Sequence, residues 1–239
     1  MSGASIDEAY DRVRRDPDAR VFVSCEHASQ RSPDGFAWPE QDAWLLGTHW
    51  AFDLGAAELA DELGQALSAS VLRSRFSRLW IDPNRPEDSS TLFRDVAEGR
   101  PVHVNTALLD DAERARRIER LLRPYHAAFD AEVAASRAEL LFSVHTFTPE
   151  YEGQKRALEV GVLFTDDAAL AAKVADALSD RFSVALNEPY SGHDGLMYAV
   201  DRHAKRYGRR ALEIEVRQDL AIDPAARREV IERLVRVIG

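Results

Sequence analysis

Three predicted strands end in side chains that could carry out chemistry. The first, "VFVSCEH", ends in Cys25, Glu26 and His27, and the other two, "LLFSVHTFTP" and "ALEIEVRQD", contain His145 and Glu215. Ligands of parallel sheets bind beyond the carboxyl ends of the strands, so we expect these groups to lie near one another. Three kinds of chemistry fit the first triplet: a cysteine nucleophile with its base, part of a metal site, or ordinary polar groups at the edge of a core.

The two strand-end histidines, His27 and His145, favour a metal site. Zinc binds imidazole and carboxylate groups, and a catalytic zinc site has three protein ligands and one open position. The segment "THWAFD" offers His49 and Asp53, spaced i and i+4 as on one helix face, for the third position. The residue pattern does not choose between them. The sequence contains no HExxH or CxxC motif, so the metal prediction depends on the strand ends alone.

An acidic pair lies in the last predicted strand. Glu213 and Glu215 are two residues apart and therefore share one face of that strand. Carboxylates within an apolar run are costly unless they are paired or functional. Two readings follow: one of the glutamates pairs with a nearby arginine, or one of them is a general base.

Two loop segments carry candidate substrate contacts. "SRLWIDPNRP" places Arg78, Asn84 and Arg85 around a strand-to-loop transition, where an arginine fork and an amide donor suit a carboxylate. The alternative is a turn in which Asn and Pro have their usual structural role. "NEPYSGHDG" is either a glycine-containing turn or a substrate loop with Tyr190 and His193 as polar contacts.

Predicted strands alternate with predicted helices along the chain, which indicates an α/β fold. We expect three layers, with a mostly parallel or mixed central sheet flanked by helices. The helical pattern predicts a helix over 42–67, a short strand over 78–83 and a long surface loop over 84–101. No stretch rich in Pro, Gly or Ser divides the 239 residues, so a single domain over 1–239 is expected.

Composition excludes several classes of partner. The net charge of -10 argues against nucleic acid, because phosphate binding needs clustered cations. No run of 18 apolar residues occurs, and residues 1–20 lack the apolar core of a signal peptide. We therefore expect a cytoplasmic protein that does not interact with membranes. The single cysteine forms no internal disulfide, and the sequence leaves the oligomeric state open.

Five segments, taken in order, resemble the N-formylglutamate amidohydrolase family. They span residues 25 to 220 and read "CEHASQRSP", "THWAFDLGA", "SRLWIDPNRP", "SVHTFTP" and "NEPYSGHDGLMYAVDRHAKRYGRRALEIEVRQDL". The resemblance implies a phosphorylase/hydrolase-like α/β fold similar to zinc carboxypeptidases, with one zinc ion that hydrolyses an amide bond. The chain departs from family members of histidine breakdown, which typically read Pro-His-Ser-Gly in place of "CEHASQ".

The resemblance also implies roles for the strand-end residues. His27 and His145 match metal ligands, and either His49 or Asp53 supplies the third ligand. Glu215 matches the glutamate that accepts the proton of the attacking water and passes it to the leaving amine. Such proton transfer usually contributes about 10²- to 10⁴-fold in rate.

The implied substrate is a small acidic N-acyl amino acid. The expected reaction is a deformylation in amino-acid catabolism, from N-formyl-L-glutamate to L-glutamate and formate. Asn84 and Arg85 match the pair that holds a substrate carboxylate, and Arg217 is a second candidate anion contact. Arg78 and Tyr190 complete the predicted substrate-binding set.

Two other functions compete with this reading. The first is a cysteine hydrolase that uses Cys25 with His145 as its base. The second is a non-catalytic protein that keeps the fold and senses an acidic metabolite through Arg85. Metal content distinguishes the second alternative, which predicts no bound zinc.

Overall fold

The computed structural model describes residues 4–6, 8–151 and 153–239, with residues 4–6 described by their backbone alone. The predicted domain over 1–239 includes residues 1–3, 7 and 152, and the N-terminal segment 1–20 includes residues 1–3 and 7; all of these lie outside the described residues. Among the described residues, no helix is both long enough and apolar enough to cross a membrane.

The described residues form strands and helices that alternate along most of the chain. The strands are β1 (Ala4–Ile6), β2 (Tyr10–Val13), β3 (Val21–Cys25), β4 (Val71–Ser74), β5 (Val96–Ala97), β6 (Arg100–Pro101), β7 (Leu140–Phe147), β8 (Glu150–Tyr151), β9 (Gln154–Lys155), β10 (Val160–Leu163), β11 (Val184–Leu186) and β12 (Arg210–Arg217). The helices are α1 (Ala56–Ala66), α2 (His103–Thr106), α3 (Asp111–Arg117), α4 (Arg123–Ala135), α5 (Ala168–Ser179), α6 (Tyr198–Tyr207), α7 (Gln218–Ile222) and α8 (Pro224–Ile238). Shorter helical turns cover Glu40–Leu45, Ile118–Leu122 and Gly192–Asp194.

Eight of the described strands form one mixed sheet in the order β1-β2-β4-β3-β7-β12-β10-β11. The central strands β4, β3, β7 and β12 run parallel to one another. Strand β10 is antiparallel to β12 and parallel to β11, and β1 and β2 extend the other edge in antiparallel pairing. The predicted mixed sheet is confirmed. Its parallel centre brings the carboxyl ends of β3, β7 and β12 to the same edge.

The sheet is buried on both faces, which confirms the three-layer arrangement. Alternate residues of β7 point to opposite faces, as in any strand. Phe142 and Val144 join an apolar cluster with the residues of α1, α5 and α8, whereas Leu141 joins the cluster that contains the residues of α4 and α6. His145 has the same parity as Leu141, so its side chain emerges on the α4 and α6 face.

The long helix predicted over 42–67 is wrong in its first half. A short helical turn ends at Leu45, irregular turns follow, and α1 begins only at Ala56. Gly55 explains the late start, because its φ is +80° and a Cβ there would lie 2.8 Å from the backbone carbon of Ala221. His49 and Asp53 therefore do not share a helix face.

Other differences lie outside the central strands. Residues 78–83 form turns rather than the predicted strand, while β1, β2 and the hairpins β5–β6 and β8–β9 were not predicted. Short strands of two to four residues carry too little periodicity to separate them from loops. The predicted strands that contain β3, β7 and β12 are confirmed.

Candidate active site

A cavity of about 460 Å³ opens beyond the carboxyl ends of β3, β7 and β12. Its position agrees with the expectation that the strand-end groups meet at one edge. The residues that line it are His27, His49, Trp50, Asp53, Arg78, Asn84, Arg85, Arg94, His145, Thr146, Phe147, Thr148, Tyr151, Arg156, Pro189, Tyr190, Leu196, Glu213 and Glu215.

His27 directs one ring nitrogen to a carboxylate and leaves the other free. Its Nε2–H donates to Asp82 Oδ1 over 2.8 Å, and Asp82 Oδ2 accepts from Arg78 Nη2, also over 2.8 Å. Burial would raise the pKa of Asp82, but the charges of Arg78 and His27 hold it well below its usual value. The Nδ1 of His27 is buried without a hydrogen-bond partner and lies 3.4 Å from Asp53 Oδ2. This nitrogen is therefore available to a ligand.

His145 is held in the same way by a different carboxylate. Its Nε2–H donates to Glu26 Oε2 over 3.0 Å, and its Nδ1 lies 2.8 Å from Asp53 Oδ2. Glu26 is fully buried and also accepts from Ser143 Oγ over 2.5 Å and from Tyr125 OH over 3.1 Å. Burial opposes its charge, yet these hydrogen bonds and the charge on His145 lower the pKa of Glu26 to about 2. Glu26 therefore remains ionised and fixes the ring.

Both histidines thus turn Nδ1 toward the same oxygen of Asp53. One ligand atom from each of His27, Asp53 and His145 lies within 4.8 Å of the others, and all three residues are buried. Two imidazoles and a carboxylate are a donor set that zinc accepts. Carboxylates on the far ring nitrogens are the usual support for metal-binding histidines. The residues present therefore fit a divalent metal.

Asp53 joins this group, whereas His49 does not. The backbone N–H of Asp53 donates to His27 O over 2.9 Å, and Asp53 Oδ2 accepts from Thr146 N over 3.3 Å. These bonds tie the irregular segment before α1 to the ends of β3 and β7. His49 lines the same cavity, but its ring packs at a tilt against Trp50, with ring centroids 4.7 Å apart, and His49 is not part of the group that could hold a metal among the described residues.

The two glutamates of β12 occupy successive positions along the cavity wall. Glu215 pairs in register with His145, and Glu213 pairs with Ser143 one step deeper. Glu213 Oε2 lies 3.7 Å from His145 Nε2, on the ring edge away from Asp53. One carboxylate oxygen of each glutamate is buried without a hydrogen-bond partner. Burial raises the pKa of Glu213 to about 7 and that of Glu215 well above its usual value, although the charge on His145 opposes both shifts.

The three predicted substrate contacts of segment 78–85 differ in their hydrogen-bond partners. Arg78 is held by Asp82 and lies 3.7 Å from Asp53 Oδ1. Asn84 lines the cavity but its amide is satisfied internally, because Nδ2 donates to Leu196 O and Oδ1 accepts from Ala199 N. Arg85 donates Nη1 to the Asn84 carbonyl oxygen and forms no salt bridge with any described carboxylate. Arg85 therefore has free donors, and Asn84 fixes the loop.

Of the remaining predicted contacts, Tyr190 lines the cavity and Arg217 does not. The side chain of Arg217 is bound by Asp219 over 2.7 Å and by Glu159 over 3.4 Å, since it stands at the last residue of β12 beyond the cavity wall. The prediction that Arg217 contacts a substrate anion is therefore corrected. His193 is exposed and packs on Phe164, with ring centroids 5.5 Å apart.

Sequence reasoning did not single out two arginines of the cavity wall, Arg94 and Arg156. Arg94 lies over the Trp50 ring at 5.2 Å, and burial lowers its pKa. Its backbone carbonyl accepts from the buried Asn105 over 2.7 Å, which anchors the loop. Each arginine belongs to an irregular segment or hairpin, so no periodic pattern marked either one.

Cys25 faces away from this cavity. It belongs to the apolar cluster on the α1 side of the sheet, is fully buried, and burial raises the pKa of its thiol. Because β3 ends at Cys25, the chain turns before His27, and the two side chains do not share a site. The cysteine-hydrolase alternative lacks an accessible nucleophile.

We expect Cys25→Ala to change kcat/KM by less than about threefold, because the thiol packs in the core on the opposite face. The measurement is steady-state hydrolysis of an N-acyl amino acid by zinc-loaded protein. Treatment of the unmodified protein with iodoacetamide serves as a control and should leave the rate unchanged. A loss near 10³-fold in the variant would support nucleophilic catalysis by Cys25 instead.

The fold and the cavity define a class: an α/β protein with a buried His–Asp–His group at the carboxyl edge of a mixed sheet. The N-formylglutamate amidohydrolase family profile matches residues 19–222. The chain belongs to the N-formylglutamate amidohydrolase family, which confirms the resemblance stated from the motifs and places it among the amidohydrolases.

Individual relatives agree with this membership. The chain is 28% identical over 141 residues to an N-formylglutamate deformylase of Pseudomonas putida, a match that covers 53% of this chain and 51% of the relative. It is also 28% identical over 156 residues to an N-formylglutamate deformylase of Pseudomonas aeruginosa, covering 56% of this chain and 57% of the relative. The matches therefore span about half the length of these curated relatives.

Solved structures share the fold. The gene product Atu2144 from Agrobacterium tumefaciens superimposes with a TM-score of 0.84 at 28% identity, covering 100% of this chain and 94% of that chain. A structure described as zinc-free YNDL superimposes with a TM-score of 0.50 at 14% identity over 98% of this chain and 91% of that chain. The second similarity concerns the fold alone.

Proposed function

We propose that this protein is a zinc-dependent amide hydrolase that converts N-formyl-L-glutamate and water into L-glutamate and formate. The observation that carries the proposal is the convergence of His27 Nδ1 and His145 Nδ1 on Asp53 Oδ2, with both far ring nitrogens bound by buried carboxylates. Family membership and the names of the deformylase relatives support the choice of substrate.

In this proposal His27, Asp53 and His145 hold the zinc. Without a metal, the charge on His145 balances the surrounding carboxylates: burial lowers its pKa, but Glu213, Asp53 and Glu26 together raise it well above the usual value. A divalent cation would take over that balancing role. Zinc bound there would lower the pKa of a water molecule from about 15.7 to about 7 and polarise the amide carbonyl.

Glu215 is the proposed proton carrier. It accepts a proton from the attacking water and delivers it to the amine nitrogen as the amide C–N bond breaks and the new C–O bond forms. Its buried, unpartnered oxygen on the cavity wall suits this task. Burial raises its pKa well above the usual value, which suits a group that both takes and returns a proton.

The arginines bind and orient the substrate. Arg85, with free donors, would hold the α-carboxylate, and Asn84 would keep the loop in place through its bonds to Leu196 and Ala199. Arg78 lies beside Asp53 and would stabilise negative charge that develops on the amide oxygen. Tyr190 completes the wall beside these groups.

The proposal is tested on full-length protein by metal analysis and by assay of formate and glutamate. We expect about one zinc per chain and hydrolysis of N-formyl-L-glutamate that a chelator abolishes and added zinc restores. N-acetyl- and N-succinyl-glutamate define the acyl preference. Zinc-free protein that binds glutamate without any turnover would instead support the metabolite-sensor alternative.

Three further expectations remain proposals that depend on sequence composition. We propose one N-formylglutamate amidohydrolase-like domain over 1–239, supported by the profile match to 19–222. We propose a cytoplasmic location, which the likeness to bacterial N-formylglutamate deformylases supports. A net charge of -10 supports a small molecule rather than nucleic acid as the partner.

A further inference from the structure

We propose that Arg156 is the residue that binds the side-chain carboxylate of the proposed N-formyl-L-glutamate substrate and discriminates it from N-acyl amino acids with uncharged side chains. The inference rests on the proposed function and extends it to a second anion site. Arg85 and Arg156 line the same cavity from different segments, the loop after Asp82 and the end of the β8–β9 hairpin. A substrate with two carboxylates could contact both.

Three aromatic rings surround the guanidinium of Arg156. Its central carbon lies 5.4 Å from the ring centroid of Phe147, 5.0 Å from that of Tyr151 and 5.7 Å from that of Tyr190. Cation–π contacts of this kind favour the charged group and limit its orientation. The rings supply no carboxylate, and no described carboxylate forms a salt bridge with the guanidinium, which the Tyr190 side chain also contacts through a hydrogen bond.

The hydrogen-bond inventory of Arg156 points to a missing acceptor. Its Nη1 is buried and has no partner among the described residues, and the described carboxylates form no salt bridge with it. Buried side-chain donors in native proteins nearly always have an acceptor. A guanidinium offers two parallel N–H groups to a carboxylate, which is the acceptor that best matches its geometry.

The Arg217 side chain hydrogen-bonds the backbone of Arg156 and so fixes it to the sheet. Arg217 Nη1 donates to Arg156 O over 3.2 Å and to Leu158 O over 3.4 Å. The Arg156 N–H donates to Pro149 O over 2.9 Å. Since Arg217 follows Glu215 on β12, these bonds set Arg156 at a fixed position relative to the proposed proton carrier. Arg217 is thus a positioning residue rather than an anion contact.

The other arginines of the cavity are less suited to bind the side-chain carboxylate of the substrate. Arg78 is already paired with Asp82 and Asp53. Arg94 stacks on Trp50 and belongs to the same loop as Arg85. Among the described residues, Arg156 is therefore a cation without a carboxylate partner on the wall formed by the ends of β7 and β9 and by Tyr190.

The test compares N-formyl-L-glutamate with N-formyl-L-glutamine, which has nearly the same shape but no side-chain charge. We expect Arg156→Gln to lower kcat/KM for the glutamate substrate about 10- to 100-fold, the effect of losing a charge-assisted hydrogen-bond pair. The value for the glutamine substrate should fall less than about threefold. Arg156→Lys, which keeps the charge without the fork, should give an intermediate loss.

Lys155→Gln is the matched control, because Lys155 is the neighbouring exposed cation and does not line the cavity. It should leave the preference between the two substrates unchanged. Thermal unfolding of each variant verifies the fold. Equal losses for both substrates in Arg156→Gln, or no loss for either, would overturn the proposal.

A binding measurement tests the role of Arg156 independently of the proposed hydrolysis reaction. Calorimetry with L-glutamate and L-glutamine on zinc-loaded protein should give tighter binding of glutamate, and Arg156→Gln should remove that difference. If the protein hydrolyses no N-acyl amino acid, the proposed function fails, yet the binding difference still decides the role of Arg156. Equal affinities of the two amino acids for unmodified protein would contradict the second anion site.

Discussion

Asp53→Asn is expected to prevent binding of the proposed zinc ion and to lower kcat/KM by more than about 10³-fold, because the proposed activation of water depends on the metal. Asp53 Oδ2 is the atom on which the Nδ1 atoms of His27 and His145 converge, at 3.4 and 2.8 Å. An amide in its place lacks the negative charge that a zinc site of this type uses. The measurements are zinc content after dialysis and steady-state kinetics.

His49→Gln is the matched comparison for this prediction. The sequence offered His49 and Asp53 equally, and both line the cavity. Because the His49 ring packs against Trp50 and does not join His27, Asp53 and His145, its replacement should retain about one zinc per chain. His27→Ala should lose zinc and thus provides the positive control. Loss of zinc from His49→Gln together with its retention in Asp53→Asn would reverse the assignment of the third ligand.

Glu215→Gln is expected to keep the zinc and to lower kcat about 10²- to 10⁴-fold, the usual contribution of a positioned acid–base group. The amide has nearly the same shape but cannot accept the proton of water. KM should change only a few-fold, since Glu215 is not assigned to substrate binding. Zinc content and kcat are measured on the same preparation, so that loss of metal is not mistaken for loss of the proton carrier.

Glu213→Gln tests whether the two carboxylates of β12 have different tasks. Glu213 lies beside Ser143 and approaches His145 at Nε2, the nitrogen already bound by Glu26. It is therefore behind the ligand ring, and its replacement should reduce kcat less than the replacement of Glu215. A larger loss in Glu213→Gln than in Glu215→Gln would transfer the proton-carrying role to Glu213.

Each of the two histidines is held by a carboxylate that is itself hydrogen-bonded to other groups. Asp82 holds His27 and is itself bound by Arg78 and the backbone N–H of Asn84. Glu26 holds His145 and is bound by Ser143 and Tyr125. Each carboxylate keeps its histidine in the tautomer that presents Nδ1 to a metal. Such partners commonly change metal affinity by about 10- to 100-fold when they are replaced.

The layered α/β fold and the strand ends that carry chemistry could be predicted from the amino-acid sequence. Strands such as β7 and β12 are long enough for their apolar pattern to identify them. Parallel neighbours bring their carboxyl ends together, so His27, His145 and Glu215 could be assigned to one site before any contact was known. The resemblance of the motifs to the family added two predictions: a bound metal ion and a binding site for a substrate carboxylate.

The other side chains of the site are brought to these strand ends by long-range contacts. Asp53 belongs to the site because its irregular segment is tied to His27 O and because Gly55 packs directly on Ala221, contacts between residues far apart in sequence. Arg156 enters the cavity through a hairpin held by Arg217, which sequence reasoning had assigned to the substrate. Strand periodicity is a local property, whereas the positions of loop side chains depend on long-range contacts that the order of residues does not reveal.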